Sequence, residues 1–160
     1  TEIYYSHDAI PLLKEKKIPT MANSRYVLVE FPVLSDYHYM KNGLHQLLME
    51  GYIPILAHVE RYINITNDIN NVSELIKSGV YIQLNAMSIT GDMGRASKKI
   101  ARKLLKYNLV HFVATDSHSS GVRAPRIKEA MDYITKKYGD SYAIKLFNEN
   151  PINIVNNKYI

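Results

Sequence analysis

The sequence predicts an α/β fold in which parallel strands alternate with helices, and three observations support this prediction. Five short tracts are rich in Val, Ile, Leu and Tyr and are mostly continuous in hydrophobicity, as buried parallel strands are. Segments with apolar residues at helical spacing separate these tracts. Polar residues that follow the tracts, at Glu30, His58, Asn85 and Asp116, recur at intervals of 28, 27 and 31 residues, about the length of one strand–helix unit.

The strands are predicted from the apolar tracts themselves. Because a helix lies between each pair of tracts, the strands are expected to run parallel with right-handed crossovers. No Gly/Ser-rich or Pro-rich linker divides the chain, so we expect one compact unit. The predicted strands are Glu2–Tyr5, Tyr26–Glu30, Ile53–Ala57, Val80–Leu84 and Leu109–Ala114.

The helices are predicted from apolar stripes between the strands. Gly51 and Gly79 stand where helix C-terminal caps are expected, just before the next strand tract. A final helix around Asp140–Phe147 should stop near Asn150-Pro151, because the residue before a proline disfavours helix. The four stripes are Met40, Leu44, Leu47 and Leu48; Val72, Leu75 and Ile76; Ile100, Ala101, Leu104 and Leu105; and Ile127, Ala130, Met131 and Ile134.

The composition is that of one ordinary globular domain and excludes several functions. The chain has 160 residues, fewer than the roughly 250 of a complete β/α barrel. It has no cysteine, which excludes a cysteine nucleophile, a thiolate metal site and disulfides. The net charge of +5 does not require nucleic acid as a partner. No apolar run is long enough for a membrane helix and no signal peptide opens the chain, so we expect a cytoplasmic protein without membrane insertion.

Polar side chains follow the predicted strands at the edge where enzymes with parallel sheets assemble their sites. Glu30, His58, Asp116 and His118 lie far apart in sequence, but the carboxyl ends of parallel strands meet at one edge. Two carboxylates and two imidazoles are ligands for borderline metals such as Mn²⁺, Zn²⁺ or Fe²⁺. The sequence therefore predicts a metal or catalytic site at this edge.

Each of these residues also has a simpler interpretation. His58 alone is more often a hydrogen-bonding residue near the surface, and Glu30 can simply begin a loop. Asp116-Ser117-His118 resembles a helix N-cap cluster. Only their joint position at successive strand ends favours a site.

Basic residues near the predicted site and on one predicted helix also have both a functional and a simpler structural interpretation. Arg61 and Arg123 follow His58 and His118 closely, and a guanidinium matches a phosphate; the alternative is a surface ion pair, for example Arg61 with Glu60. A basic helix face can bind nucleic acid or acidic lipid, but it is more often a solvated outer face. That face carries Lys98, Lys99, Arg102, Lys103 and Lys106. The chain contains no GxGxxG, Walker-type loop or Gly-x-Ser-x-Gly elbow.

Several ungapped segments resemble the bacterial manganese-dependent tyrosine-protein phosphatases of the polymerase-and-histidinol-phosphatase (PHP) superfamily, the type encoded with capsule and exopolysaccharide genes. The resemblance runs from Glu2 to the Glu149-Asn-Pro tail and implies a distorted, TIM-like β/α barrel with a trinuclear metal site. The segments are Glu2-Ile-Tyr-Tyr5, Ser24-Arg-Tyr-Val-Leu-Val-Glu-Phe-Pro32, Tyr52-Ile-Pro-Ile-Leu-Ala-His-Val-Glu-Arg-Tyr62, Gln83-Leu-Asn-Ala-Met-Ser-Ile-Thr-Gly91 and Val110-His-Phe-Val-Ala-Thr-Asp-Ser-His118.

The resemblance implies a role for each matching residue. Glu2 is similar to the glutamate that bridges two metals, and Glu30 and His58 to ligands of the second metal. Asp116 resembles a ligand of the first metal and His118 a ligand of the third, with Mn²⁺ as the implied cofactor. The matching arginines, Arg61 and Arg123, would hold the substrate phosphate. The implied mechanism is attack of a metal-bound hydroxide on phosphorus, with metals and arginines stabilising the developing charge.

The sequence also departs from the family pattern. Val59 replaces the proline that the family usually has after the metal-binding histidine. More importantly, no His-x-His occurs in the chain, although the family has one in its amino-terminal strand. We therefore expect residues 1–160 to be a single, amino-terminally truncated PHP-type domain, an incomplete barrel that keeps at most one well-formed metal site, at Glu2, Glu30 and His58.

Three functions remain open at this point. The first is hydrolysis of phosphotyrosine on a bacterial tyrosine kinase that regulates polysaccharide assembly. The second is hydrolysis of a small phosphate ester such as histidinol phosphate. The third is a non-catalytic fragment with a binding role, which exposed strand edges would let assemble into a homo-oligomer.

Overall fold

A computed structural model of the chain describes residues 2–117 and 127–160. Five parallel strands form one sheet in the order β1-β2-β3-β4-β5, which confirms the predicted α/β class. Because each strand pairs with the next one in sequence, the sheet winds in one direction, as the wall of a β/α barrel does. The strands are β1 Glu2–Tyr4, β2 Tyr26–Glu30, β3 Ile53–Leu56, β4 Tyr81–Asn85 and β5 Phe112–Ala114.

The helices lie between the strands as the apolar stripes predict. The four stripes fall in the second, fourth, sixth and seventh helices, and Gly51 and Gly79 end two of these helices with φ of +84° and +104°. Short 3₁₀ turns at Met21–Asn23 and Val59–Arg61 complete the connections. The helices are α1 Ala9–Lys14, α2 Tyr37–Met49, α3 Ile63–Thr66, α4 Ile69–Lys77, α5 Ala86–Thr90, α6 Arg95–Lys106, α7 Ile127–Tyr138, α8 Asp140–Ile144 and α9 Asn150–Val155.

The prediction that the last helix stops near Asn150-Pro151 is wrong. After α8, one turn of π-helix spans Lys145–Glu149, and α9 continues the helical path to Val155. Pro151 sits in the first turn of α9, directly after the π-helical turn, where proline is tolerated because the first N–H groups of an α-helix have no partner within that α-helix. The helical path therefore passes through the proline instead of ending at it. Strand limits also shift slightly: β4 begins and ends one residue later than predicted, and β5 is shorter than its apolar tract.

The two faces of the sheet are covered by different parts of the chain. Val27 and Val29 of β2 belong to the large hydrophobic cluster that packs against the crossover helices. Tyr26 and Leu28 point the other way and belong to a smaller cluster that includes Ile154 of α9. We call this second side, which the crossover helices leave open, the site face.

The site face is apolar where the strands begin and polar where they end. The C-terminal tail covers its apolar half, because the hydroxyl of Tyr26 donates to the carbonyl of Lys158 at 2.7 Å and that of Tyr81 to the carbonyl of Ile160 at 3.2 Å. At the other end, strand alternation places Glu30 on the face of Tyr26, and strand register places Glu2 level with Leu28 on it. The polar half of this face holds the candidate site.

The described residues contain no helix that combines the length and the apolar character needed to cross a membrane. The basic face of α6 is turned outward, with Lys99, Lys103 and Lys106 exposed and Ala101, Leu104 and Leu105 buried against the core. These lysines therefore face outward from the sheet and do not pack into the core.

Candidate metal centre

Three side chains, from β1, from the end of β2 and from the residue that begins the turn after β3, converge on the polar half of the site face. The Nε2 atom of His58 lies 3.1 Å from Oε1 of Glu2 and 3.2 Å from Oε2 of Glu30. One candidate ligand atom from each residue lies within 4.8 Å of those of the other two. The predicted convergence of Glu30 and His58 is confirmed, and Glu2 joins them. We call Glu2, Glu30 and His58 the triad.

The backbone after β3 is shaped to turn His58 toward the two carboxylates. His58 adopts a left-handed conformation with φ of +34°, which ends the strand and begins the 3₁₀ turn Val59–Arg61. Its backbone N–H donates to Oε1 of Gln83 on the neighbouring strand at 2.7 Å. Val59, the residue that departs from the family pattern, is fully buried in the main core. The histidine is therefore held by its backbone and by a buried residue on its C-terminal side.

The triad is electrostatically suited to a cation. Burial alone would lower the pKa of His58, but its hydrogen bond to Glu2 and the negative charges of Glu2 and Glu60 outweigh burial and nearby Arg61, so that the pKa is raised. The site thus favours positive charge between the two carboxylates. Two carboxylates with one imidazole are a donor set that Mn²⁺, Zn²⁺ or Fe²⁺ accepts, so these residues fit a divalent metal.

Asp116 and Arg61 form a second group beside the triad. The guanidinium of Arg61 pairs with Oδ2 of Asp116, and the same oxygen accepts a hydrogen bond from Nδ2 of Asn85 at 3.2 Å. Asp116 has a left-handed backbone, with φ of +49°, and its side chain is only 8% exposed. His118 and Arg123 lie outside the described residues.

Glu60 is the site residue whose role the sequence did not predict. The suggested surface ion pair between Glu60 and Arg61 is wrong: Glu60 is 3% exposed, and its Oε1 accepts hydrogen bonds from the backbone N–H of Asn85 at 3.2 Å and from Oγ of Ser88 at 2.7 Å. Burial raises the pKa of its carboxyl, although the hydrogen bonds and the nearby His58 oppose the shift. The sequence carried no signal for this, since Ser88 lies inside a helix and only the fold brings it to Glu60.

A buried tyrosine supports the end of β2. The hydroxyl of Tyr62 accepts a hydrogen bond from the backbone N–H of Phe31 at 3.1 Å, directly after Glu30. Tyr62 has no exposed surface, and burial raises the pKa of its hydroxyl, so it remains neutral at physiological pH. The turn after β3 thus supports two residues of the triad: His58 begins the turn, and Tyr62 at its end binds the backbone next to Glu30.

The chain is similar to a described protein family and to named tyrosine-protein phosphatases. The family described as "Capsular polysaccharide synthesis, CpsB/CapC" matches residues 1–156. The tyrosine-protein phosphatase CpsB of Streptococcus pneumoniae is 41% identical over 164 residues, covering 99% of this chain and 68% of that protein. The tyrosine-protein phosphatase YwqE of Bacillus subtilis is 30% identical over 127 residues, covering 79% of this chain and 50% of that protein.

The fold also matches a solved structure from the same group. That structure, from work on YwqE of Bacillus subtilis and CpsB of Streptococcus pneumoniae described as metal-dependent tyrosine phosphatases, superposes with a TM-score of 0.92 and 28% identity. The match covers the whole of this chain and 64% of the solved one, so the chain spans about two thirds of its relatives' length. With its family match and its identity to CpsB, this chain belongs to the CpsB/CapC family of capsular polysaccharide synthesis proteins.

Proposed function

We propose that the chain performs metal-dependent hydrolysis of phosphotyrosine, on a bacterial tyrosine kinase that regulates capsular or exopolysaccharide synthesis. The observation that carries the proposal is the triad, with its three ligand atoms within 4.8 Å, beside a paired arginine and aspartate. The printed names of the relatives, tyrosine-protein phosphatases of capsule synthesis, supply the substrate class.

The residues have separate roles in this proposal. Glu2, Glu30 and His58 would hold one metal, Asp116 and His118 would be ligands of further metals, and Mn²⁺ is the metal we propose. A bound metal of this kind supplies a Lewis acid for the phosphoryl oxygens and lowers the pKa of a bound water.

Arg61 and Arg123 bind the phosphate. A guanidinium donates two parallel N–H bonds to phosphoryl oxygens, and its charge offsets the negative charge that grows during phosphorus–oxygen cleavage. Arg61 is 23% exposed in its side chain, so one part can reach a substrate while Asp116 orients another. A phenolate leaving group depends less on a general acid than an alkoxide does, because the phenolate is the weaker base.

The proposal extends to the domain organisation, the location and the oligomeric state of the protein. Residues 1–160 act as one PHP-type domain, supported by the single sheet that carries all the described site residues. The cytoplasm is the proposed location. Self-association through the outer strands β1 and β5 is part of the proposal, and sedimentation would test it.

The test is phosphate release by the protein with added Mn²⁺, from a phosphotyrosine peptide and from histidinol phosphate. We expect the peptide to be hydrolysed faster and Asp116→Ala to abolish activity. Asp132→Ala, which removes an exposed carboxylate of α7, is the matched control and should keep full activity. Faster release from histidinol phosphate would replace the proposed substrate with a small ester. Absence of Mn²⁺-dependent activity would leave the chain with a binding role instead.

A further inference from the structure

Two buried polar atoms beside the triad have no hydrogen-bond partner among the described residues. They are Nδ1 of His58 and Oε2 of Glu60. Each residue is only 3% exposed, so bulk water does not satisfy either atom. An unsatisfied buried donor or acceptor destabilises the fold, and two of them within three residues of sequence call for a physical reason.

The other end of each side chain is already engaged. Nε2 of His58 lies against Glu2 and Glu30, on the side of the ring that faces the triad carboxylates. Oε1 of Glu60 accepts hydrogen bonds from Asn85 and Ser88 on the protein side. The imidazole and the carboxyl also interact electrostatically with each other. The two atoms without a partner in the described part of the chain are Nδ1 of His58 and Oε2 of Glu60, on residues two apart in sequence. A protonated Nδ1 is a donor and a carboxylate oxygen is an acceptor, so the two can form a hydrogen bond.

We propose that Glu60 is a positioning residue for His58: its Oε2 accepts a hydrogen bond from the Nδ1–H of His58, directly or through one buried water, when Nε2 binds a metal. The inference rests on the proposed function. An imidazole that ligates a metal through one nitrogen generally donates its other N–H to a carboxylate, a carbonyl or water, which fixes the tautomer and the ring orientation. His58 has the first half of this arrangement at the triad, and Glu60 offers the second.

Glu60 would also connect the triad to the group formed by Arg61 and Asp116. Through Oε1, Glu60 holds the backbone of Asn85, and Nδ2 of Asn85 donates to Asp116. Glu60 therefore lies between the histidine that would bind one metal and the aspartate proposed for another. A purely structural role would use only Oε1, so the two oxygens can be tested separately.

Glu60→Gln separates the two roles. The amide oxygen can keep the acceptor position toward Asn85 and Ser88, which leaves the NH₂ facing Nδ1 of His58. A donor facing Nδ1 favours the tautomer with its hydrogen on Nε2, the nitrogen needed for the metal. We expect Mn²⁺ affinity, measured by isothermal titration calorimetry, to fall about 10- to 100-fold. Ser88→Ala is the control, because it removes a hydrogen bond to Oε1 alone, and its Mn²⁺ affinity should stay within about twofold of wild type.

A second measurement keeps the inference testable if Glu60→Gln does not fold. In the wild-type protein loaded with diamagnetic Zn²⁺, nitrogen-15 NMR should show His58 bound through Nε2 with a slowly exchanging proton on Nδ1. A His58 bound through Nδ1, or an Nδ1 proton that exchanges freely, would overturn the inference. So would a Glu60→Gln protein with wild-type Mn²⁺ affinity, while the proposed function would stand. A wild-type protein that binds no Mn²⁺ would contradict both the inference about Glu60 and the proposed function.

Discussion

The guanidinium of Arg61 pairs with the carboxylate of Asp116, 55 residues later in the chain. The pair joins the turn after β3 to the segment after β5 and crosses the end of β4, where Asn85 adds a hydrogen bond to the same oxygen. A residue proposed to bind phosphate and one proposed to bind metal are thus in direct contact. A substrate phosphate and a metal would therefore engage an already organised pair of opposite charges.

Arg61→Lys should reduce phosphatase activity while leaving the fold intact. Lysine keeps the charge but loses the planar fork that can bond a phosphate and Asp116 together. We expect kcat/KM for a phosphotyrosine peptide to fall by about 10²-fold, the usual loss when one transition-state donor is removed. Arg25→Lys is the control, since Arg25 bonds Asn157 and Tyr159 near the start of β2, and its kcat/KM should be unchanged. Equal losses in both variants would exclude a specific role for Arg61.

Glu30→Gln should weaken metal binding without unfolding the protein. The side chain of Glu30 is 34% exposed, so the loss of its charge costs little packing, but it removes one of two carboxylates around Nε2 of His58. We expect the affinity for Mn²⁺ to fall at least about tenfold and the Mn²⁺-induced rise in Tm to shrink accordingly. Glu50→Gln, which removes a carboxylate paired with Lys14 on the surface, should retain wild-type affinity. Metal binding that is insensitive to Glu30 would place the site elsewhere.

His111 should make the protein less stable as the pH falls below neutrality. Its Nδ1 accepts a hydrogen bond from the backbone N–H of Ile82, and burial, with help from the charge of Lys145, lowers the pKa of His111 to about 4. Between that value and the unfolded pKa near 6.5, the unfolded chain binds more protons, so stability is complete above about pH 6.5 and is lost toward pH 4.

The size of this effect can be measured by urea unfolding. From pH 7 to pH 5 the contribution of His111 amounts to a loss of about 2 kcal/mol in the free energy of unfolding. His111→Gln keeps an acceptor for Ile82 without a titrating group, and it should remove this part of the pH dependence. An identical pH dependence in wild type and variant would contradict the assignment.

Gly43→Ala should destabilise the protein, although alanine is the better helix former. Gly43 lies inside α2, and a Cβ atom there would lie 2.6 Å from the ring of Tyr5, which is stacked on Phe31 and bonded to Gln46. We expect a net loss of about 1 kcal/mol, because overpacking of about 1–3 kcal/mol outweighs the gain in helix propensity.

A double-mutant cycle would identify the cause of that loss. In a Tyr5→Leu background the ring is absent, and Gly43→Ala should become neutral or stabilise by up to about 1 kcal/mol. Thermal or urea unfolding of the four proteins gives the interaction free energy. The same destabilisation in both backgrounds would show that the ring of Tyr5 is not responsible.

Residues in the strands and stripes show how much of the fold the sequence determined. Val27 and Val29 lie in a continuous apolar tract, and Leu44 and Leu104 in helical stripes, and each is buried as expected. These patterns are local, because burial on one side of a strand or helix imposes a period that can be read along the chain. The same reasoning placed Glu30 and His58 at strand ends, and the parallel arrangement brought their side chains together, with that of Glu2 beside them.

Tertiary structure decided the contacts that have no sequence period. The path of α9 through Pro151, the burial of Glu60 and its bonds to Asn85 and Ser88, and the Arg61–Asp116 pair all depend on which strand ends lie side by side. The sequence does not distinguish a carboxylate that faces solvent from one that pairs with an arginine or accepts a hydrogen bond from a buried hydroxyl. A polar group can be buried at low cost only when it is paired, and the partner available to it depends on the whole fold.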